Sequence, residues 1–305
     1  MLEVAVSAGA TGASSPEEIE RVELPTYNLG DLSPVDVRAY LQQKDVVMVP
    51  IASIEQHGPH LPLLTDTIQA EEITKRAAAR AQVLYTPTVW MGYSPQHMYD
   101  PGTGTGTITI RPHLLLELWY DVGRSLIHHG FNKIVFVNNH GSNAKIIEPL
   151  LRRLRYDTGA MVAMSRLYVE RYLALIDDIM ENPPEETPGW HSSELETSQV
   201  MAHDESLVRM DRAVAQVPER PSSIPDAFVK KDGAPDVAFQ GHEFFLFATD
   251  HQEFTPSGVI GNPLRSSAEK GNRTYERYAE HLAAALGEFE KLEVEVHTRE
   301  WRAIV

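Results

Sequence analysis

Lys133-Ile-Val-Phe-Val-Asn138 reads as a β-strand, and the segments on either side of it decide the fold. Upstream, Pro112–His129 has the apolar spacing of a helix, with Gly130 as its C-terminal stop. Downstream, Asn139-His140-Gly141-Ser142-Asn143 leads into a helix expected to end near Asp157. A strand over Ala160–Arg166 follows, then a further helix from about Leu167. Nearer the N-terminus, Val46–Ala52 reads as a buried strand, Asp66–Ala81 as a helix with Ile68 and Ile73 on its apolar side, and Val83–Trp90 as another strand. Strands alternating with helices of this length predict an α/β fold, a mostly parallel sheet flanked by helices on both faces. Such a sheet binds its ligands beyond the carboxyl ends of its strands.

The rest of the chain is read against that sheet. Residues 1–22, rich in Ala, Gly and Ser and then acidic, are expected to form a flexible N-terminal arm, and 23–305 a single domain. Between Val217 and Gly241 the composition turns to Pro, Ser, Asp and Gly, which predicts a long surface excursion or oligomer-contact segment. A last helix is expected from Ser266 to about Leu292, with Tyr275, Tyr278, Leu282, Leu286 and Phe289 at helical spacing.

Composition narrows the function. The 305 residues carry a formal net charge of −16, which repels phosphate backbones and anionic lipid, so neither nucleic acid nor membrane is an expected partner. No apolar run reaches the roughly 20 residues of a bilayer span, and Met1-Leu2-Glu3-Val4 lacks the positive start of a signal peptide. A cytoplasmic enzyme acting on a small molecule is the expectation. The chain has no cysteine, hence no thiolate nucleophile and no thiolate metal site. Any metal must sit on histidine and carboxylate.

Those residue types gather at the predicted sheet edge. Glu55 and His57 follow the first strand two apart, so extended backbone turns them to one side, although such a pair can also be ordinary surface. Asp66 starts the next helix after the Pro-rich loop His60–Thr65, where it either caps the helix or returns to the same rim. His140 lies just past the Lys133–Asn138 strand, with Gly141 permitting a tight turn. Trp190-His191-Ser-Ser-Glu194-Leu-Glu196-Thr-Ser198 adds a histidine and two glutamates, either of which could instead favour a helix N-terminus electrostatically. A mixed imidazole and carboxylate set suits Zn²⁺, Mn²⁺ or Fe²⁺ better than Ca²⁺ or Mg²⁺. Two such ions sharing a carboxylate would hold hydroxide at neutral pH and polarise a carbonyl for attack, and His191 is the candidate to protonate a departing nitrogen.

Other motifs carry less. Pro101-Gly-Thr-Gly-Thr-Gly-Thr107 lacks both the lysine of a phosphate loop and the spacing of a dinucleotide fingerprint. There is no Gly-x-Ser-x-Gly elbow for a serine hydrolase. Trp119 and Tyr120 fall mid-helix and are expected in the core or at a subunit contact.

Taken in order, Ser53-Ile-Glu-Gln-His-Gly-Pro-His-Leu-Pro-Leu-Leu-Thr-Asp66, Gly92-Tyr-Ser-Pro-Gln-His97, Pro101-Gly-Thr103, the His140 loop, His191-Ser-Ser-Glu-Leu-Glu-Thr-Ser198 and Thr255-Pro-Ser-Gly-Val-Ile-Gly261 resemble the creatininase, or creatinine amidohydrolase-like, family. The resemblance implies a parallel sheet flanked by helices, commonly assembled as a hexamer, with two divalent metal ions at the sheet edge. It puts Glu55, His57, Asp66, His140 and Glu196 on metal-ligand positions, with Asp66 bridging. It favours Glu196 over Glu194, and puts His191 on the histidine of proton transfer.

The departures bear on substrate. Creatininase proper has Tyr and then Glu after the histidine of the His140 loop, whereas Gly141 and Ser142 stand here, so creatinine is not the expected substrate. The Gly/Ser form is similar to the wider family, which includes formamide hydrolases, a peptidase trimming a cofactor precursor peptide, and hydrolases of oxidised inositols. The usual Ala-Gly after the second histidine is Ser192-Ser193, and Gly104–Thr107 looks like added length in the Pro-Gly-Thr loop. The expected activity is amidohydrolysis of a non-peptide or cyclic C–N bond in an amide, lactam or formamide. The alternatives are C–C hydrolysis of a cyclic diketone and a catalytically silent scaffold, though the scaffold reading calls for a missing ligand or acid and none is missing. Substrate contacts are expected from His97, Gly141, Ser142 and Trp190, with the Gly102–Thr107 loop and a neighbouring subunit adding wall. A homo-oligomer is the expected assembly.

Overall fold

The structure, a computed structural model, describes residues 24–99, 101–102, 104–166, 174–181, 191–230 and 236–301. The expected arm, Trp190 and the start of the helix predicted from Leu167 lie outside them; residues 174–179 form turns.

Four parallel strands make the main sheet: β1 (Val46–Ile51), β2 (Leu84–Tyr85), β3 (Lys133–Asn138) and β4 (Met161–Arg166), in the spatial order β2-β1-β3-β4. The register pairs Val46 with Lys133 and Ile51 with Asn138, so β1 and β3 end side by side. The helices are α1 (Pro34–Leu41), α2 (Thr65–Ala81), α3 (Pro112–His129), α4 (Gly141–Ile146), α5 (Glu148–Thr158), α6 (Glu194–Asp204) and α7 (Ala268–Glu290).

Alternation along β1 divides the interior into two cores. Val46 and Met48 face Ile73 and Ala77 of α2 and Tyr275, Tyr278, Leu282 and Leu286 of α7. Val47, Val49 and Ile51 face Leu115 and Trp119 of α3 and Leu150 and Leu154 of α5. Every residue of β1 and β3 is buried, as expected for a sheet covered on both faces. Trp119 and Tyr120 are core residues.

Two expectations need correcting. The strand over Val83–Trp90 narrows to β2 plus an isolated bridge from Val89 to Ile51, because Pro87 has no N–H to give the ladder. The helix expected to run unbroken to Asp157 is two, α4 and α5, because Pro149 cannot donate to the carbonyl of Lys145 and its ring crowds that turn. Beyond those expectations, the segment over 217–241 contributes strands: β5 (Phe228–Lys230) and β6 (Asp236–Phe239) pair antiparallel, and β6 pairs with β7 (His242–Leu246).

α6 and α7 cross very closely. A Cβ on Gly271 of α7 would lie 1.9 Å from the Ser198 carbonyl oxygen of α6, so only glycine permits this approach. That contact sets the depth at which α6 meets the sheet edge.

Candidate metal centre

The carboxyl ends of β1 and β3 open into a cleft lined by Glu55, Asp66, His97, His140, His191 and Glu196, among others. Each arrives by a short route. Glu55 and His57 follow β1, Asp66 stands in the first turn of α2, His140 caps α4 just after β3, and Glu196 lies in the first turn of α6.

Asp66 is the centre of the arrangement. Its Oδ1 lies 3.4 Å from His57 Nε2 and its Oδ2 lies 3.0 Å from His140 Nδ1. Glu196 Oε2 completes the His57 side at 3.5 Å, and Glu55 Oε2 the His140 side at 3.5 Å. Two cradles result, Glu55–Asp66–His140 and His57–Asp66–Glu196, each with its ligand atoms within 4.8 Å of one another. Within them, Glu55 Oε2, His57 Nε2 and Asp66 Oδ2 are buried without a hydrogen-bond partner. A buried orphan polar atom costs roughly 1–3 kcal/mol, and several converging on one space fit divalent cations.

Backbone carbonyls orient the two imidazoles so that the other nitrogen of each faces a cradle. His57 Nδ1 donates to the Glu55 carbonyl at 3.1 Å, leaving Nε2 to face the cradle, where it can hold a proton or a cation. His140 Nε2 donates to the Tyr93 carbonyl at 2.9 Å, with Ser94 Oγ at 3.1 Å, leaving Nδ1 free. Gly92 brings that Tyr93–Ser94 segment in: a Cβ there would lie 2.5 Å from the Ala52 carbonyl oxygen.

Glu194 and Glu196 part company in space. Glu194 is buried beside α7, 2.6 Å from Lys270 Nζ, and accepts the Glu181 N–H at 3.0 Å. Glu196 turns to the cleft, its Oε2 accepting the Ser192 N–H at 2.5 Å. Ser192 has φ +58°, a left-handed conformation that costs a non-glycine residue about 1–2 kcal/mol and here aims its N–H at that carboxylate.

Burial pushes the Glu196 carboxyl up to about 7 and raises Glu55 as well. Burial also opposes charge on His57 and His140, but their carboxylate neighbours outweigh it and lift them to about 10 and 9. Asp66 is lowered, since its two imidazole neighbours overcome its burial. The site therefore draws positive charge inward.

A second cluster adjoins it. His97, His191 and His251 are buried with ring centroids 4.1–4.9 Å apart, and burial holds all three well below the usual histidine range, so they are neutral. Gln56 orders two of them. Its Oε1 accepts the Gly58 N–H at 3.0 Å, which turns Nε2 to donate to His97 Nδ1 at 2.9 Å. Its carbonyl accepts from His191 Nε2 at 2.8 Å. His191 therefore presents an unprotonated Nδ1, 3.7 Å from Glu55 Oε1, and His97 an Nε2–H, 3.5 Å from Glu55 Oε2. Gly141 and Ser142 line the cleft, as do Gln96, Lys145 and His251, to which the sequence reading gave no role.

Comparison with known proteins places this geometry. The profile of the Creatininase family, described as creatinine amidohydrolase, matches residues 30–286. Creatinine amidohydrolase of Pseudomonas putida is 27% identical over 272 residues, covering 85% of this chain and 96% of that protein. 3-dehydro-scyllo-inosose hydrolase of Thermotoga maritima is 25% identical over 259 residues, covering 81% of this chain and 78% of that protein. A solved structure described as "Creatininase Mn" superposes with a TM-score of 0.68 at 25% identity, covering 88% of this chain and all of that one. No helix among the described residues is long and apolar enough to cross a membrane.

Proposed function

Because the chain belongs to the creatininase family of metal-dependent hydrolases, we propose that it is a binuclear amidohydrolase cleaving a non-peptide or cyclic C–N bond in an amide, lactam or formamide. One observation carries this reading: Asp66 turns one carboxylate oxygen to each of two imidazole and carboxylate cradles. Glu55, Asp66 and His140 would hold one divalent ion and His57, Asp66 and Glu196 the other, Zn²⁺, Mn²⁺ or Fe²⁺ by the chemistry of the donors. Ions held there would activate water and polarise the substrate carbonyl.

The chain's own groups supply the proton traffic. His191, neutral and with Nδ1 open, takes a proton from the attacking water and passes it to the departing nitrogen. His97 offers an N–H to an oxygen of the substrate, and Gln56 keeps the two imidazoles in opposite tautomers. With Gly141 and Ser142 in place of Tyr and Glu, creatinine is not the substrate we propose. A second reading, C–C hydrolysis of a cyclic diketone of the oxidised-inositol type, draws on the likeness to 3-dehydro-scyllo-inosose hydrolase. Release of amine or ammonia, against release of a ring-opened acid alone, separates the two.

Treatment with a chelator is expected to abolish hydrolysis, and Zn²⁺ or Mn²⁺ to restore it; full activity in protein shown to be metal-free by elemental analysis would overturn the reading. We also propose a homo-oligomer, with a hexamer as the form the family resemblance implies. Phe244 and Leu246, two apart on one face of β7, are 83% and 70% exposed, and such exposed apolar side chains suit a subunit contact. Light scattering is expected to give a multiple of 34.1 kDa, and a monomer at micromolar concentration would refute it.

A further inference from the structure

The cleft that holds the two cradles also carries a cation with no protein counter-charge among the described residues. Lys145, on α4 and five residues beyond His140, is the only lysine or arginine among the described residues lining the cleft. It makes no hydrogen bond or ion pair among the described residues. Several lysines elsewhere in this acidic chain do find carboxylates: Lys44 with Glu290 at 2.7 Å, Lys133 with Asp45 at 2.9 Å, Lys270 with Glu194 at 2.6 Å. Beside Lys145, His251 is 94% buried, from its 6% exposure, yet its Nδ1 has no partner. Gln96 Nε2 donates to Ser142 Oγ at 2.9 Å, so the Ser142 hydroxyl proton is free for another acceptor.

The cleft therefore has two unlike sets of lining groups. Its carboxylates, Glu55, Asp66 and Glu196, all belong to the cradles, where metal ions would use their lone pairs. The rest of the lining offers donors and a positive charge: Lys145 Nζ, the Ser142 hydroxyl and the His251 ring. A neutral substrate would leave Lys145 without a counter-charge in the cleft. A carboxylate would satisfy the lysine and a neighbouring donor together, in charge-assisted hydrogen bonds about twice as strong as neutral ones.

We propose that Lys145, with Ser142 and His251, forms an anion subsite, and that the substrate is an acid whose carboxylate lies there while its scissile carbonyl meets the cradles. This deepens the hydrolase reading and rests on it. The test uses zinc-reconstituted protein and ligands with the same metal-seeking end: acetohydroxamate, and the monohydroxamates of malonate, succinate and glutarate, titrated calorimetrically. At least one carboxylate-bearing hydroxamate is expected to bind about tenfold or more tightly than acetohydroxamate, a charge-pair gain of about 1.4 kcal/mol. That advantage is expected to vanish in Lys145→Met and reverse in Lys145→Glu, both exposed-site changes whose folding is checked by the thermal midpoint. Equal binding of all four ligands to the wild type, or an advantage that survives in Lys145→Met, overturns the subsite alone. Failure of acetohydroxamate itself to bind overturns the metal centre, and the subsite with it.

Discussion

Asp66→Asn is expected to lose at least one metal ion per chain and to lower hydrolysis by about a thousandfold or more. The carboxylate gives Oδ1 to the His57 side and Oδ2 to the His140 side, at 3.4 and 3.0 Å. An amide of nearly the same shape keeps one oxygen and replaces the other with an NH₂ that has no lone pair for a cation. One cradle then falls from three ligands to two. The site also loses one of the three carboxylate charges that would be set against the four positive charges of two dications. Neither loss calls for a folding defect, since Asn fits the same space at the start of α2. Elemental analysis and a steady-state assay on the same preparation check the expectation. Two ions per chain with more than a tenth of the wild-type rate would show that Asp66 bridges nothing.

His191→Gln is expected to lower kcat by about 10²–10⁴-fold while leaving metal content and KM near their wild-type values, the pattern of a lost proton-transfer group. Glutamine can still donate to the Gln56 carbonyl as His191 Nε2 does at 2.8 Å, so the wall of the cleft stays closed. It cannot take up a proton as the Nδ1 lone pair can. Both cradles are complete without His191, which separates this variant from Asp66→Asn: one loses rate with its metals in place, the other loses metal first. A variant that keeps more than a third of the wild-type kcat would remove His191 from proton transfer.

The sheet was legible because β1 and β3 are mainly apolar runs followed by helices with their own period, and such runs depend little on distant context. β2 was overread because Val83, Leu84, Tyr85, Val89 and Trp90 have strand composition, and a single imino acid, Pro87, outweighed it. Likewise Pro149 split a segment whose apolar spacing continues straight through it. Glu55, His57, Asp66 and His140 could be gathered from spacing because each stands within a few residues of a strand or helix end. Glu194 and Glu196 could not be told apart by chemistry, since both lie in the first turn of α6, and only the position of Lys270 on α7 decides which faces away. His251 is the clearest omission. Asp250 and Glu253 form a capping box that marks a turn there, but a turn's location does not show which cavity its second residue will enter. Lys145 escaped notice because a lysine on a short helix is ordinarily solvated. Its meaning came only from the cleft that the His140 loop turns it toward.

The distribution of donors along the chain has one more consequence. Glu55, His57 and Asp66 come from a single stretch, whereas His140 comes from the loop after β3 and Glu196 from α6, so each cradle joins two local donors to one remote donor. An ion in the first cradle would act as a cross-link between neighbouring strands, and one in the second as a rivet fastening α6. The two ions would then leave by different routes, the second when α6 lifts from Gly271 of α7 and the first only when the edge of the sheet itself opens. Metal release thus becomes an ordered record of how the domain comes apart.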